Sequence, residues 1–113
     1  MSFKLSQPER ILLQRRRHGL TQAQAADRFK IPRHIYARIE NGKPVVTRKL
    51  ENLVEWMKGP FVAQDHERCL IMRERCGKTQ DEVAADLKCS RYWLNRMETG
   101  KEPCDTLLWY WEQ

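Results

Sequence analysis

The chain has 113 residues, of which 41% are hydrophobic and 32% charged, and it carries a net charge of +6 with a pI near 9.4. That balance excludes an intrinsically disordered chain, which holds too little apolar surface to order itself. No apolar run is long enough to span a bilayer, and the start, "MSFKLSQPER", lacks the apolar core of a signal peptide, so the expected location is the cytoplasm.

In chain order, the first predicted helix opens at Ser6, Pro8 and Glu9, where a Ser followed three residues later by Glu signals a capping box. It runs to about Arg17 before Gly19 breaks it. Thr21 caps a second helix, "QAQAADRF". After the turn "KIP" comes a third, "RHIYARIE", which stops at Asn41-Gly42, where Gly can take the left-handed conformation. A short helix or turn is expected around Lys43–Val46, and Thr47 caps a last helix, "RKLENLVEWM", that ends at Gly59-Pro60. The connection "MKGPF" is short, which leaves little slack between residues 1–58 and residues 59–113.

The second half repeats the first. Sliding the sequence against itself by 58 places aligns residues 9–43 with 67–101 without a gap, and 15 of the 35 pairs are identical. Chance would give about two. The helix end "ARIENGK" at 37–43 returns as "NRMETGK" at 95–101, and Asp105 stands in place of the capping Thr47. A repeat of this size is near the lower limit for an independent core. The expected fold is therefore all-α: two tandem units of about five short helices each, 1–58 basic and 59–113 slightly acidic, packed as one compact unit.

Four cysteines lie in the second copy. Cys69 replaces Ile11, Cys89 replaces Ile31 and Cys104 replaces Val46, so three occupy positions that are apolar in the first copy, while Cys76 replaces His18. Buried free Cys behaves as a small hydrophobe. No close Cys pair has zinc-ligand spacing, although His66 and Cys69 are one helical turn apart, so core thiols are expected, with no metal and no cofactor.

Two short helices joined by a tight turn, the second ending in Ile-Glu-Asn-Gly-Lys, carry a resemblance. "LTQAQAADRFKIPRHIYARIENGK" resembles the lambda-repressor/Cro-like (XRE-type) helix-turn-helix family, and "KTQDEVAADLKCSRYWLNRMETGK" resembles it again. The shared features are the Thr-Gln opening, the small Ala26 or Ala84 at a helix crossing, and the Glu-x-Gly-Lys ending. The resemblance implies buried structural pairs between Arg15 and Glu40 and between Arg73 and Glu98. It also implies that Gln22 and Gln80 contact phosphate or a base edge. The sequence departs from the family pattern at Lys30 and Lys88 in the turn, at Pro32 where a capping Ser or Thr is usual, and at Ala25 where Leu is usual. The second copy keeps Ser90 and Val83 and fits the pattern better.

Tyr36 and Ile39 continue the apolar stripe of the third helix, which leaves Arg33, His34, Ala37 and Arg38 facing outward. The same face of the second copy carries Arg91, Tyr92, Asn95 and Arg96, with Ser90 at its head. A helix fits the DNA major groove, where Arg grips guanine, Asn grips adenine and an aromatic ring meets a thymine methyl. Lys43 and Lys101, which close these helices, join the candidate contacts, as do Arg16 and Arg17 of "QRRRHG", which are either phosphate contacts or merely solvated charges.

Charge is unevenly shared. Residues 1–58 hold 13 Lys and Arg against 5 Asp and Glu, and residues 59–113 hold 8 against 10, so the first copy is the electrostatic anchor. Aromatic residues are skewed the other way, with Trp93 bordering the outward face and "LLWYWEQ" closing the sequence. Trp111 matches Leu53 and is expected in the core; Trp109 and Tyr110 match polar residues and suggest contact with another surface. His18, His34 and His66 have no catalytic setting and there is no phosphate-cradling Gly-rich loop, so no enzyme and no small-molecule ligand are expected. The expected function is a transcriptional repressor that reads double-stranded operator DNA, of the kind the resemblance associates with mobile genetic elements, with a homodimer as a further possibility. The alternative is an antitoxin-like or antiactivator module in which only the first unit touches DNA and the second binds a protein partner or dimerises.

Overall fold

The computed structural model describes residues 3–45, 53–57 and 61–112. Every regular element among them is helical, and the fold is all-α. The order is α1 (Gln7–Arg17), α2 (Gln22–Arg28), α3 (Arg33–Glu40), α4 (Val54–Met57), α5 (Asp65–Cys76), α6 (Gln80–Leu87), α7 (Arg91–Glu98) and α8 (Asp105–Trp111). The chain divides into two compact units, Met1–Phe61 and Val62–Gln113.

Local chemistry sets most of these boundaries. At α1 the Ser6 hydroxyl accepts from the Glu9 amide at 3.3 Å while Glu9 Oε1 accepts from the Ser6 amide at 2.9 Å, so two otherwise orphaned donors are satisfied. Thr21 with Gln24 and Thr79 with Glu82 do the same for α2 and α6. The Ser90 hydroxyl caps α7 through the Trp93 amide at 3.0 Å, whereas Pro32 supplies no side-chain cap to α3. After α2 and α6 the chain turns at Lys30 and Lys88, with φ of 57° and 56°, in the left-handed region. Gly100, at φ 81°, lies against the His66 ring so closely that a Cβ would meet it at 3.0 Å.

Of the short helix or turn expected around Lys43–Val46, the described residues Lys43, Pro44 and Val45 are not helical, and the matching stretch of the second unit bends without forming a helix, so that unit has four helices among its described residues. The reason is that the amides after α7 are already used: Lys101 and Glu102 both donate back to the Arg96 carbonyl, and Pro103 has no amide to continue with. Asp105 is also not the cap of α8. Cys104 holds that position without a side-chain hydrogen bond, and Asp105 is the first residue inside the helix, where its charge faces the positive helix end. The expected Thr47 cap, and the first half of the helix it was to begin, lie outside the described residues; α4 belongs to the described half.

Each unit has its own core. In the first, Ile11, Ala25, Ala26, Phe29, Tyr36 and Ile39 pack with Leu53 and Trp56, and Phe29 meets Trp56 edge-on at 4.6 Å. In the second, Cys69, Val83, Ala84, Leu94, Met97 and Leu107 form the centre, with Cys89, Cys104 and Trp111 packed against it. Cys69, Cys89 and Cys104 thus serve as core thiols, Cys76 is exposed, and all four are free. Burial, with Cys104 and Glu98 nearby, pushes the Cys69 thiol up to about 12.

Candidate nucleic-acid interface

The placement of α3 and α7 rests on one buried carboxylate in each unit. Arg15 of α1 reaches Glu40 with Nε at 2.6 Å and Nη2 at 3.2 Å, and its Nη1 donates to the Leu20 carbonyl at 3.0 Å. Arg73 of α5 repeats every bond: 2.8 and 3.2 Å to Glu98, and 3.1 Å to the Lys78 carbonyl. The Gln at the start of the second helix adds a donor, from Gln22 Nε2 to Glu40 at 3.2 Å and from Gln80 Nε2 to Glu98 at 3.1 Å. A buried carboxylate with donors from two other helices fixes the rotation of its own helix, since any turn of α3 or α7 would strand the charge. The buried pairs implied by the resemblance are therefore present, and Gln22 and Gln80 point their amides inward to brace them.

That rotation decides which side chains face out. Arg33, His34 and Arg38 are exposed on α3, Ala37 is half-buried, and Tyr36 and Ile39 are buried beneath them. On α7, Arg91, Tyr92 and Asn95 are exposed with Ser90 just before them, Arg96 is half-buried, and Leu94, Met97 and Glu98 lie below. Lys43 and Lys101 are exposed in the turns that follow. Arg16 and Arg17 sit on the last turn of α1 rather than on α3, and Arg17 stacks over the Phe61 ring at 4.2 Å.

The outward arginines differ in what they already hold. Among the described residues Arg33 has no hydrogen-bond or ion-pair partner, and Arg38 donates to the Pro44 carbonyl at 3.1 and 3.4 Å. In the second unit Arg91 donates to Gln80 Oε1 at 3.3 Å, and Gln80 in turn donates to Asn95 Oδ1 at 3.2 Å. Arg96 is gripped by Glu102, which holds its guanidinium above the ordinary Arg range, and its Nη1 lies 3.5 Å from the Tyr92 hydroxyl. Glu102 escaped the sequence reading, although the 58-residue offset sets it against Pro44 and so marks a charge the first copy lacks.

Around the site, the aromatic surplus splits. Tyr110 is internal: its hydroxyl donates to Asp86 at 2.6 Å and accepts from Lys78 at 2.9 Å, which lowers the Asp86 carboxyl and raises the Lys78 amine. Trp111 packs on the core, while Tyr92, Trp93 and Trp109 are exposed. Among the described residues no three His, Cys, Asp or Glu side chains gather as a metal site, and no helix is long and apolar enough to cross a membrane.

Residues 71–107 match a family described as a helix-turn-helix domain. The matched stretch takes in Arg73, α6, α7 and Glu98, the elements that build the braced outward face of the second unit. No curated protein and no solved structure matches the chain.

Proposed function

We propose that the chain is a sequence-specific, double-stranded-DNA-binding transcription regulator of the repressor type, which lays α3 and α7 in the major groove. The observation that carries this reading is the twofold occurrence of one device: a buried Glu, forked by an Arg and bridged by a Gln, that turns an Arg-bearing helix face outward. The match of residues 71–107 to helix-turn-helix domains supports it. So does the basic balance of residues 1–58, because cationic surfaces gain affinity by releasing counterions from phosphate. No catalytic step and no cofactor belong to the reading.

The test is a footprint on the DNA upstream of the protein's own gene. Arg33→Ala with Arg38→Ala should erase protection over one part of it, since each good bidentate base contact contributes about 1–3 kcal/mol. Arg91→Ala with Arg96→Ala should erase the other part. If the second pair leaves protection and base preference unchanged, the second unit is a protein-binding module of the antitoxin or antiactivator kind, a reading that the exposed Tyr92, Trp93 and Trp109 favour.

A further inference from the structure

The two outward faces carry Arg at the same positions, but among the described residues only the second face carries its own anions. Glu102 Oε1 accepts from Arg96 Nε at 3.1 Å and from Nη2 at 2.9 Å, in a half-buried bridge whose side chains are 30% and 27% exposed. Asp81 Oδ2 lies 4.0 Å from Arg91 Nη1 at the surface. At the equivalent places the first unit has Pro44 and Ala23, which are neutral. The edge of Arg96 that Glu102 occupies is the edge an Arg offers to a phosphate, or to O6 and N7 of a guanine.

We propose that Asp81 and Glu102 compete with nucleic acid for Arg91 and Arg96, and so attenuate the DNA contacts of α7 relative to those of α3. DNA reaching the second unit must displace a carboxylate from Arg96 before that side chain can contact it, whereas the matching Arg38 gives up only the neutral Pro44 carbonyl. The chain is then an unequal two-headed reader: the first unit holds, and the second discriminates among sites already held. This rests on the DNA-binding reading above and adds to it which residues set the ratio between the two faces.

The experiment compares two double variants of the full chain, Asp81→Asn with Glu102→Gln and Asp105→Asn with Glu112→Gln. Both remove two negative charges from the second unit; only the first frees the α7 arginines. Binding to a mixed-sequence duplex is measured from 50 to 300 mM salt. The first variant should bind more tightly than the second, and its plot of log affinity against log salt should steepen by about one to two units, since each added phosphate contact contributes a slope of about −0.9. Adding Arg91→Ala and Arg96→Ala should abolish that gain. If the double substitution disturbs folding, Asp81→Asn and Glu102→Gln singly carry the test, each with a steepening of up to about one unit. Equal affinity and slope for the two double variants overturn the inference while leaving DNA binding intact. A wild-type chain that binds no duplex overturns both.

Discussion

At the scale of single residues, Lys88 holds a backbone conformation that costs an L-residue about 1–2 kcal/mol, and its φ of 56° is matched by Lys30 at 57°. Glycine has no such cost but gives up more chain entropy on folding. Lys88→Gly should therefore raise the stability of the second unit by about 0.5–1 kcal/mol, seen as a higher urea midpoint at unchanged slope. The opposite case is Glu98, whose carboxylate is fully buried and receives three donors, two from Arg73 and one from Gln80. Glu98→Ala leaves Arg73 nearly buried with only the exposed Glu74 carboxylate, 3.6 Å away, as a counter-charge, and should cost about 3–5 kcal/mol, enough to unfold a unit of this size at room temperature. Circular dichroism would show the loss, and a variant as stable as the wild type would mean the pair is dispensable. Tyr36 stands where the second unit has Leu94, and its buried hydroxyl lies beside the Arg15–Glu40 pair, where burial and the Glu40 carboxylate push its pKa up, so the first unit keeps a polar atom where the second has only carbon.

At the scale of elements, α6 and α8 are joined by the Lys78–Tyr110–Asp86 cluster. The Tyr110 hydroxyl, followed by Lys78, depresses the Asp86 carboxyl. Its stabilising contribution is thus present above the unfolded aspartate value near ~3.9 and is lost as pH falls through the lower folded value. Lys78 is raised, first by Tyr110 and then by Asp86, so its contribution is full below the unfolded lysine value and survives until alkaline pH. Tyr110→Phe should lower the melting temperature at pH 6, and the gap from wild type should shrink toward pH 3; a gap independent of pH would show that the hydroxyl does not act through Asp86. Elements set by near neighbours were legible in the sequence. The Ser6–Glu9 box announces α1, the Thr21 cap announces α2, and Asn41-Gly42 announces the end of α3, because caps and turns depend on residues three or four apart. The start of α8 was not, because it depends on amides that fold back onto α7. The outward Arg face could be read from helical periodicity, but the Arg96–Glu102 bridge could not, since a contact six residues apart across a turn leaves no periodic trace.

At the scale of the whole molecule, charge is distributed against the aromatic residues, with the basic excess in residues 1–58 and all four tryptophans except Trp56 in the second half. Lys43 tests the electrostatic half of this division. It is exposed in the turn after α3 and suits a phosphate rather than a base. Lys43→Ala should weaken binding uniformly across duplex sequences and flatten the salt dependence by about one unit, with base preference unchanged. A change in base preference would instead place Lys43 at a base edge.

The thiols offer the molecule a clock that reads one half only. The first unit has no cysteine, Cys76 is exposed, and Cys69 is both buried and held in its protonated form by its surroundings. A thiolate is the reactive species, so Cys69 in the closed structure is inert at neutral pH. Treated with a water-soluble disulfide reagent at pH 7.5, the native chain should label Cys76 at once and Cys69 only through the opening of the second unit, at a rate slowed by the population of the open form. The labelling time of a single atom would then report how often that unit breathes, and operator DNA that engages α7 should lengthen it without any foreign label having been attached.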